Sequence, residues 1–247
     1  MNSKFQIFID LLENGTFAFN TWETIYLTLL STLFAYIIGL PLGILLSVTS
    51  KEGVKPCAPV NAVLGIIVNI LRSIPFFVLM IAFLPFAKLV VGTRSANALM
   101  IVLLVVAAAP YIARLVESSL KEVDKGVIEA ARSMGANTFQ IIWKVLLREA
   151  VPSLIVGAVI AMVTIVGYTA MAYEIGGGGL GKAIYMYGKT RYNDYVIWIG
   201  IAVIVIIVQI IQELGMLLAR KIDKRLNKKS RKNSSHRIKT LDETKIQ

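Results

Sequence analysis

Glu129-Ala130-Ala131-Arg132-Ser133-Met134-Gly135 is a polar, helix-compatible island between apolar runs long enough to cross a membrane. In so apolar a chain, a polar stretch of this kind points to a partner that grips it from the cytoplasm. Asp124 is suited to cap a helix starting near Lys125. Gly135 is suited to end that helix, because glycine takes a positive φ at little steric cost. Asn137 or Thr138 is then placed to cap a second helix, on which Phe139, Ile142, Val145 and Leu146 recur at helical spacing as one apolar face. The expectation is a helix, a tight turn and a helix lying at the membrane surface. An interfacial loop resting on lipid has the same periodicity, so periodicity alone leaves both readings open.

The composition supports a membrane setting. Mean hydropathy is +0.71 and 56% of the 247 residues are hydrophobic. Charged residues make up 17%, below the roughly 25% of soluble domains, and they cluster. Net charge is +11, with the basic excess mainly between Arg220 and Lys245. That basic tail directly follows an apolar run, which makes it a cytoplasmic anchor near lipid rather than a nucleic-acid-binding arm. One cysteine, Cys57, rules out an intrachain disulfide, and no Cys/His cluster has metal-ligand spacing. The single histidine, His236, sits in the polar tail and receives no role. The N-terminus lacks the pattern of a cleavable signal, since Asp10 and Glu13 follow Lys4 and the first long apolar run exceeds an h-region.

Five crossings are expected in an all-α integral membrane protein: Ile25–Val48, Cys57–Ala87, Leu99–Ala113 (continuing a run begun near Ala96), Val151–Ala172 and Val196–Gly215. The second is too long for one straight span and contains Arg72-Ser73-Ile74-Pro75, so it reads as one crossing with a broken or tilted start. With the C-terminus inside, the inner segments hold Lys51, Lys55, six basic residues from Arg114 to Arg148 and eleven in the tail. The outer segments then hold Lys4, Lys88, Arg94, Lys182, Lys189 and Arg191. The positive-inside rule therefore places the N-terminus outside and the island inside. The organisation is an extracytoplasmic segment over 1–21, a transmembrane domain over 22–222 with a cytoplasmic loop at about 117–149, and a flexible basic tail over 223–247.

Glu129-Ala130-Ala131, with Gly135 following, resembles the EAA motif of ABC-import permeases. The similarity extends to Asn69-Ile70-Leu71-Arg72-Ser73-Ile74-Pro75-Phe76, Ala109-Pro110-Tyr111-Ile112-Ala113-Arg114, Gly167-Tyr168-Thr169-Ala170-Met171 and Gly178-Gly179-Leu180-Gly181 before Tyr185 and Tyr187. Together these stretches resemble the methionine-import permease branch, from roughly Trp22 to Ile222. The resemblance implies a type I importer permease in a bacterial cytoplasmic membrane, with no catalytic residue of its own. It also implies a homodimer with its pore on the two-fold axis, two ATPase subunits and an extracytoplasmic binding protein. Glu129, Ala130, Ala131 and Gly135 would carry the coupling to the ATPase, which would hold ATP and Mg. The motif's usual closing proline falls at Arg148, so the second island helix is expected to run on to Val151 before Pro152. Tyr173 and Glu174 stand where the branch has small residues.

Several residues suit a translocation path. Arg72 is the one charge well inside an apolar region, and it either faces the bundle interior or snorkels to the inner surface. Pro75, two residues after Ser73, loosens the local helix. Gly157, Gly167 and Ala170 permit close helix approach, Tyr168 lies among them, and Met171 is an adaptable apolar plug or an ordinary packing residue. Gly176-Gly177-Gly178-Gly179-Leu180-Gly181-Lys182-Ala183 nearly matches a P-loop, but a membrane helix precedes it and Ala183 replaces the Mg-binding hydroxyl. It reads as an outer turn, so no cofactor is assigned to this chain.

Two other classes compete. An ion-coupled secondary transporter would want intramembrane carboxylates or broken-helix repeats, and no carboxylate falls clearly within a span. A non-transporting scaffold would use the island only to recruit a partner. Within the importer reading, the alternative substrate is another small amino acid or an osmoprotectant. The orientation is testable with Cys57 replaced and a cysteine introduced at Ser3. Labelling in intact cells is expected, and labelling only after permeabilisation refutes an outside N-terminus.

Overall fold

The computed structural model describes residues 3–92 and 95–223. The tail from residue 224 onward, with His236, and the cation Arg94 lie outside the described residues, as does the Lys4 side chain. Among the described residues every regular element is helical. The chain runs through α1 (Ser3–Glu13), α2 (Thr16–Thr49), α3 (Ala58–Ser73), α4 (Phe76–Val91), α5 (Ala96–Lys121), α6 (Lys125–Ser133) and α7 (Thr138–Thr169). A 3-10 turn (Ala172–Ile175) and a short helix α8 (Leu180–Ala183), continued by a π segment over Ile184–Lys189, lead to α9 (Asp194–Ile222).

Among the described residues four helices, α2, α5, α7 and α9, are long and apolar enough to cross a membrane. The first begins at Thr16 rather than Ile25, so the expected boundary at residue 22 falls inside it. At 34 residues it is about 50 Å long, well beyond the roughly 30 Å of hydrocarbon. The expected second crossing does break at the Arg72–Pro75 stretch, midway along it rather than at its start. It is two helices of 16 residues, α3 and α4, bent by 111° across Ile74–Pro75. Each is about 24 Å long, too short to span the hydrocarbon core unaided. Pro75 sits at the N-cap of α4 with φ −56°, where its missing N–H costs nothing. The fourth apolar run is a single helix with the second island helix, since Pro152 lies near its middle without ending it. That helix closes at Thr169 rather than Ala172.

The core is the α2–α5 pair. A Cβ at Gly39 would stand 2.9 Å from the Ala109 carbonyl oxygen, and one at Gly43 would stand 2.6 Å from that of Ala113. Glycine spaced by four along α2 therefore brings two helix backbones into contact, the packing available to helices that gain nothing from burying apolar surface away from lipid. Ile112, Leu103, Leu104 and Val116 fill the surrounding core. By contrast, only 17% of the most apolar window of α9 is buried, and Ile201, Val205, Ile206 and Ile210 face outward.

Two buried carboxylates lie in the long helices beyond the ends of the expected crossings: Glu23 on α2 and Glu117 on α5. Neither is isolated. Glu117 pairs with Arg114 at 2.6 Å and Lys121 at 2.7 Å, and Glu23 is hydrogen-bonded as described below. Arg114 also donates to the Gly65 carbonyl and to Asn69, which fastens α3 to α5. Its Nε is buried without a partner.

Gly43→Leu is expected to force α2 and α5 apart. Overpacking of this kind costs about 1–3 kcal/mol, which should lower Tm in detergent by about 2–12 °C. An unchanged Tm by tryptophan fluorescence or calorimetry would show that this contact does not hold the pair together.

Candidate functional site

The island folds from its caps. Asp124 accepts from the Gly126 amide at 2.7 Å and starts α6. At the other end, the Gly135 amide donates to the Arg132 carbonyl and the Ala136 amide to the Ala131 carbonyl. That paired closure needs a left-handed residue at Gly135, whose φ is +80°. Asn137 and Gln140 then form a capping box, each side chain accepting from the other's amide at 2.9 and 3.0 Å. A helix stop followed at once by a helix start turns the chain between α6 and α7 within a few residues.

This turn is tied to the α2–α3 connection. Arg132 donates to the Val54 carbonyl at 2.7 Å, and Lys125 pairs with Glu52. Between them lies a cavity of about 470 Å³ lined by Lys51, Lys121, Glu129 and Arg132 among others. The hydrogen bond and charge of Lys125 hold the exposed Glu52 carboxyl below its ordinary value.

The face turned away from the bundle is apolar and unpartnered in the chain. Ala131 is buried, whereas Glu129 and Ala130 are exposed. Met134 is 81% exposed, Phe139 68% and Trp143 53%. Phe139 therefore does not share one face with Leu146 as expected. Its ring lies 6.0 Å from that of Trp143, while Ile141 and Leu146 point inward and Ile142 and Val145 are half-buried. The cause is local: Ile141–Leu146 is a π segment, which rotates the residues after it relative to those before it and so breaks the 3.6-residue phase between Phe139 and Leu146.

The expected path residues separate into two groups. The bend at Pro75 positions Phe76 to stack on Tyr168, with centroids 4.4 Å apart and planes 10° from parallel. Arg72 and Ser73 end α3 and are exposed, with Ser73 donating to the Ile70 carbonyl. Gly167 is exposed with nothing within 4 Å of a Cβ there, so it packs no helix of its own chain. Gly157 is in ordinary contact with Leu115 and Tyr36, and the close approach falls instead at Ala170, whose backbone meets Gly181. Met171 is partly exposed and caps the 3-10 turn. Beside it the hydrogen bond with Glu174 pushes the Tyr173 hydroxyl up to about 12.

The glycine-rich loop does hold an anion, and it belongs to the same chain. Gly179 N–H donates to Glu23 Oε2 at 2.9 Å, Gly178 N–H to Asn97 Oδ1 at 2.8 Å and Leu180 N–H to Thr24 Oγ1 at 2.8 Å. The amides that a phosphate would need are engaged internally. Glu23 and Asn97 are absent from the residues that sequence reasoning singles out. The available signal is Glu23 itself, a charge two turns inside a helix that also carries Thr24 and Thr28.

Residues 39–228 match the family described as binding-protein-dependent transport system inner membrane component. The chain belongs to that family. It is 45% identical to the probable D-methionine transport system permease protein MetI of Vibrio cholerae, over 83% of this chain and 91% of the relative. It is 49% identical to the methionine import system permease protein MetP of Bacillus subtilis, over 83% and 92%. Among solved structures, a chain of the MetNI methionine ABC transporter in its inward facing conformations superposes with a TM-score of 0.81 at 42% identity, covering 84% of this chain and 96% of that one. This permease, like its relatives, is a multi-pass membrane protein, and the methionine permeases are its branch of the family.

The Glu52–Lys125 pair makes a pH prediction. A depressed folded pKa contributes stability that is present above the unfolded carboxyl's pKa and is lost as pH falls through the folded one. Both groups are exposed, so the contribution is small. Lys125→Ala should move the Glu52 titration upward toward the ordinary value in carboxyl-labelled NMR, and no movement would show that the pair does not form.

Proposed function

We propose that this chain is the permease subunit of an ATP-binding-cassette importer that carries methionine, as either enantiomer or a close derivative, into a bacterial cell. The names of the relatives support the substrate. The observation that carries the mechanism is the continuity of α7. One 32-residue helix begins at the capping box and ends beside Tyr168, about 45–50 Å away. A partner that seats on Glu129, Ala130, Met134, Phe139 and Trp143 therefore grips one end of a rod whose other end borders the candidate path at Phe76, Tyr168 and Met171.

Two separate ATPase subunits, holding ATP and Mg, drive this rod from the cytoplasm in a homodimer of permeases. Closure of the ATPases shifts a bistable bundle between inward-open and outward-open states. An extracytoplasmic binding protein delivers substrate to the outer end. The bent α3–α4 pair serves as the second of five crossings, with the N-terminus outside and the C-terminus inside. The small side chain of Ala130 lets the partner approach closely, and Glu129 supplies a charge for a basic residue opposite.

Glu129→Lys and Gly135→Pro test this reading. Glu129→Lys reverses the charge, and proline at 135 cannot adopt the positive φ of the turn. Both should reduce methionine uptake in proteoliposomes at least tenfold and weaken co-purification of the ATPase, with no loss of membrane insertion. Normal uptake with full ATPase binding in both variants would remove the turn as the coupling element.

A further inference from the structure

The buried carboxylate at the outer end of α2 does more than satisfy a loop. Glu23 is 7% exposed, and both of its oxygens act as acceptors: Oε1 from Asn97 Nδ2 at 2.7 Å and Oε2 from Gly179 N–H. Asn97 on α5 is held in one orientation, because its Oδ1 accepts from Gly178 N–H while its Nδ2 donates to Glu23 and to the Tyr26 hydroxyl at 2.6 Å. The reversed amide would set Oδ1 against the carboxylate and Nδ2 against an N–H donor. Position 178 admits only glycine, since a Cβ there would overlap the carboxylate. Four side chains and three backbone amides thus bind the loop to α2 and α5 at once.

The same loop grips the end of α7. A Cβ at Gly181 would overlap the Ala170 carbonyl oxygen, directly after the last residue of the helix. The path from the capping box at Asn137 to Glu23 is therefore an unbroken series of packed or hydrogen-bonded groups, the kind of physical network through which displacement is transmitted. Midway along the rod, Ser153 donates to Glu122 and shares a hydrogen bond with the Ser119 hydroxyl, which ties α7 to α5.

We propose that Glu23 is a positioning residue for transport, a latch that pins the outer end of α7 to α2 and α5 so that movement of its cytoplasmic end is delivered to the path. Without the latch the rod slips at its outer end, and ATP is hydrolysed without substrate moving. The inference rests on the importer reading.

The donor pattern supplies a swap experiment. Glu23→Gln places an amide against the Asn97 amide or the Gly179 N–H, and Asn97→Asp sets two carboxylates together. In the double variant the amide introduced at position 23 donates to the carboxylate introduced at position 97 and accepts from Gly179 N–H. That carboxylate also accepts from Gly178 N–H and the Tyr26 hydroxyl, so every partner is restored. The readout is methionine uptake per ATP hydrolysed by the complete complex in proteoliposomes with its binding protein. Each single variant should lower this ratio at least fivefold with the ATPase still bound in wild-type proportion, and the double should return to within twofold of wild type.

Singles with an unchanged ratio overturn the latch, as does an equal fall in uptake and hydrolysis or a double no better than the worse single. Should a single variant not accumulate, Thr24→Ala loosens the loop without touching the carboxylate, and a wild-type ratio there overturns the proposal as well. Absence of ATP-driven methionine uptake by the unaltered complex would instead sink the importer reading.

Discussion

The close approach of α2 and α5 at Gly39 and Gly43 sets the frame on which everything else is mounted. In lipid, apolar side chains gain little by meeting one another, so helices associate where small residues let backbones touch. That contact makes α5 the hub. It carries α3 through Arg114, the middle of α7 through Ser119, and the glycine-rich loop through Asn97. Displacing α5 would disturb all three attachments together.

Polar groups inside the apolar helices follow from the same constraint. A charge in hydrocarbon is tolerated when it meets partners within the protein. Glu117 sits between Arg114 and Lys121, and Glu23 lies in a cradle of amides. Each carboxylate stands where two segments distant in sequence must be fixed, Glu117 through its arginine to α3 and Glu23 to the loop after α7. The hydroxyls of Thr24, Thr28 and Thr32 donate to the carbonyls one turn back, so they add polarity to α2 without leaving an orphan donor.

The turn between α6 and α7 is legible residue by residue. Asp124, Gly135 and Asn137 act through hydrogen bonds that span a few positions, and such local chemistry is written in adjacent letters. The face of the following helix is not, because periodicity assumes 3.6 residues per turn. The π segment over Ile141–Leu146 breaks that assumption and leaves Phe139 out of phase with the residues after it. Glu23 escapes a sequence reading for a different reason. A charge reads as the edge of a span, which starts the helix at Ile25, although the partners that make this charge tolerable lie 74 and 156 residues away.

The sequence by itself determined that the chain is helical and built for a membrane, where the apolar segments lie, where the polar island caps and turns, and which family it resembles. Those properties depend on composition and on neighbours within one helical turn. Only the tertiary structure decided that α3 and α4 fold across Pro75 by 111°, that α7 is one uninterrupted helix, and that the glycine-rich loop closes on a carboxylate from α2. Each of these depends on which distant groups become neighbours. A broken helix, a tolerated proline and a buried charge have the same local sequence whether or not a partner is there to satisfy them, and packing supplies the partner.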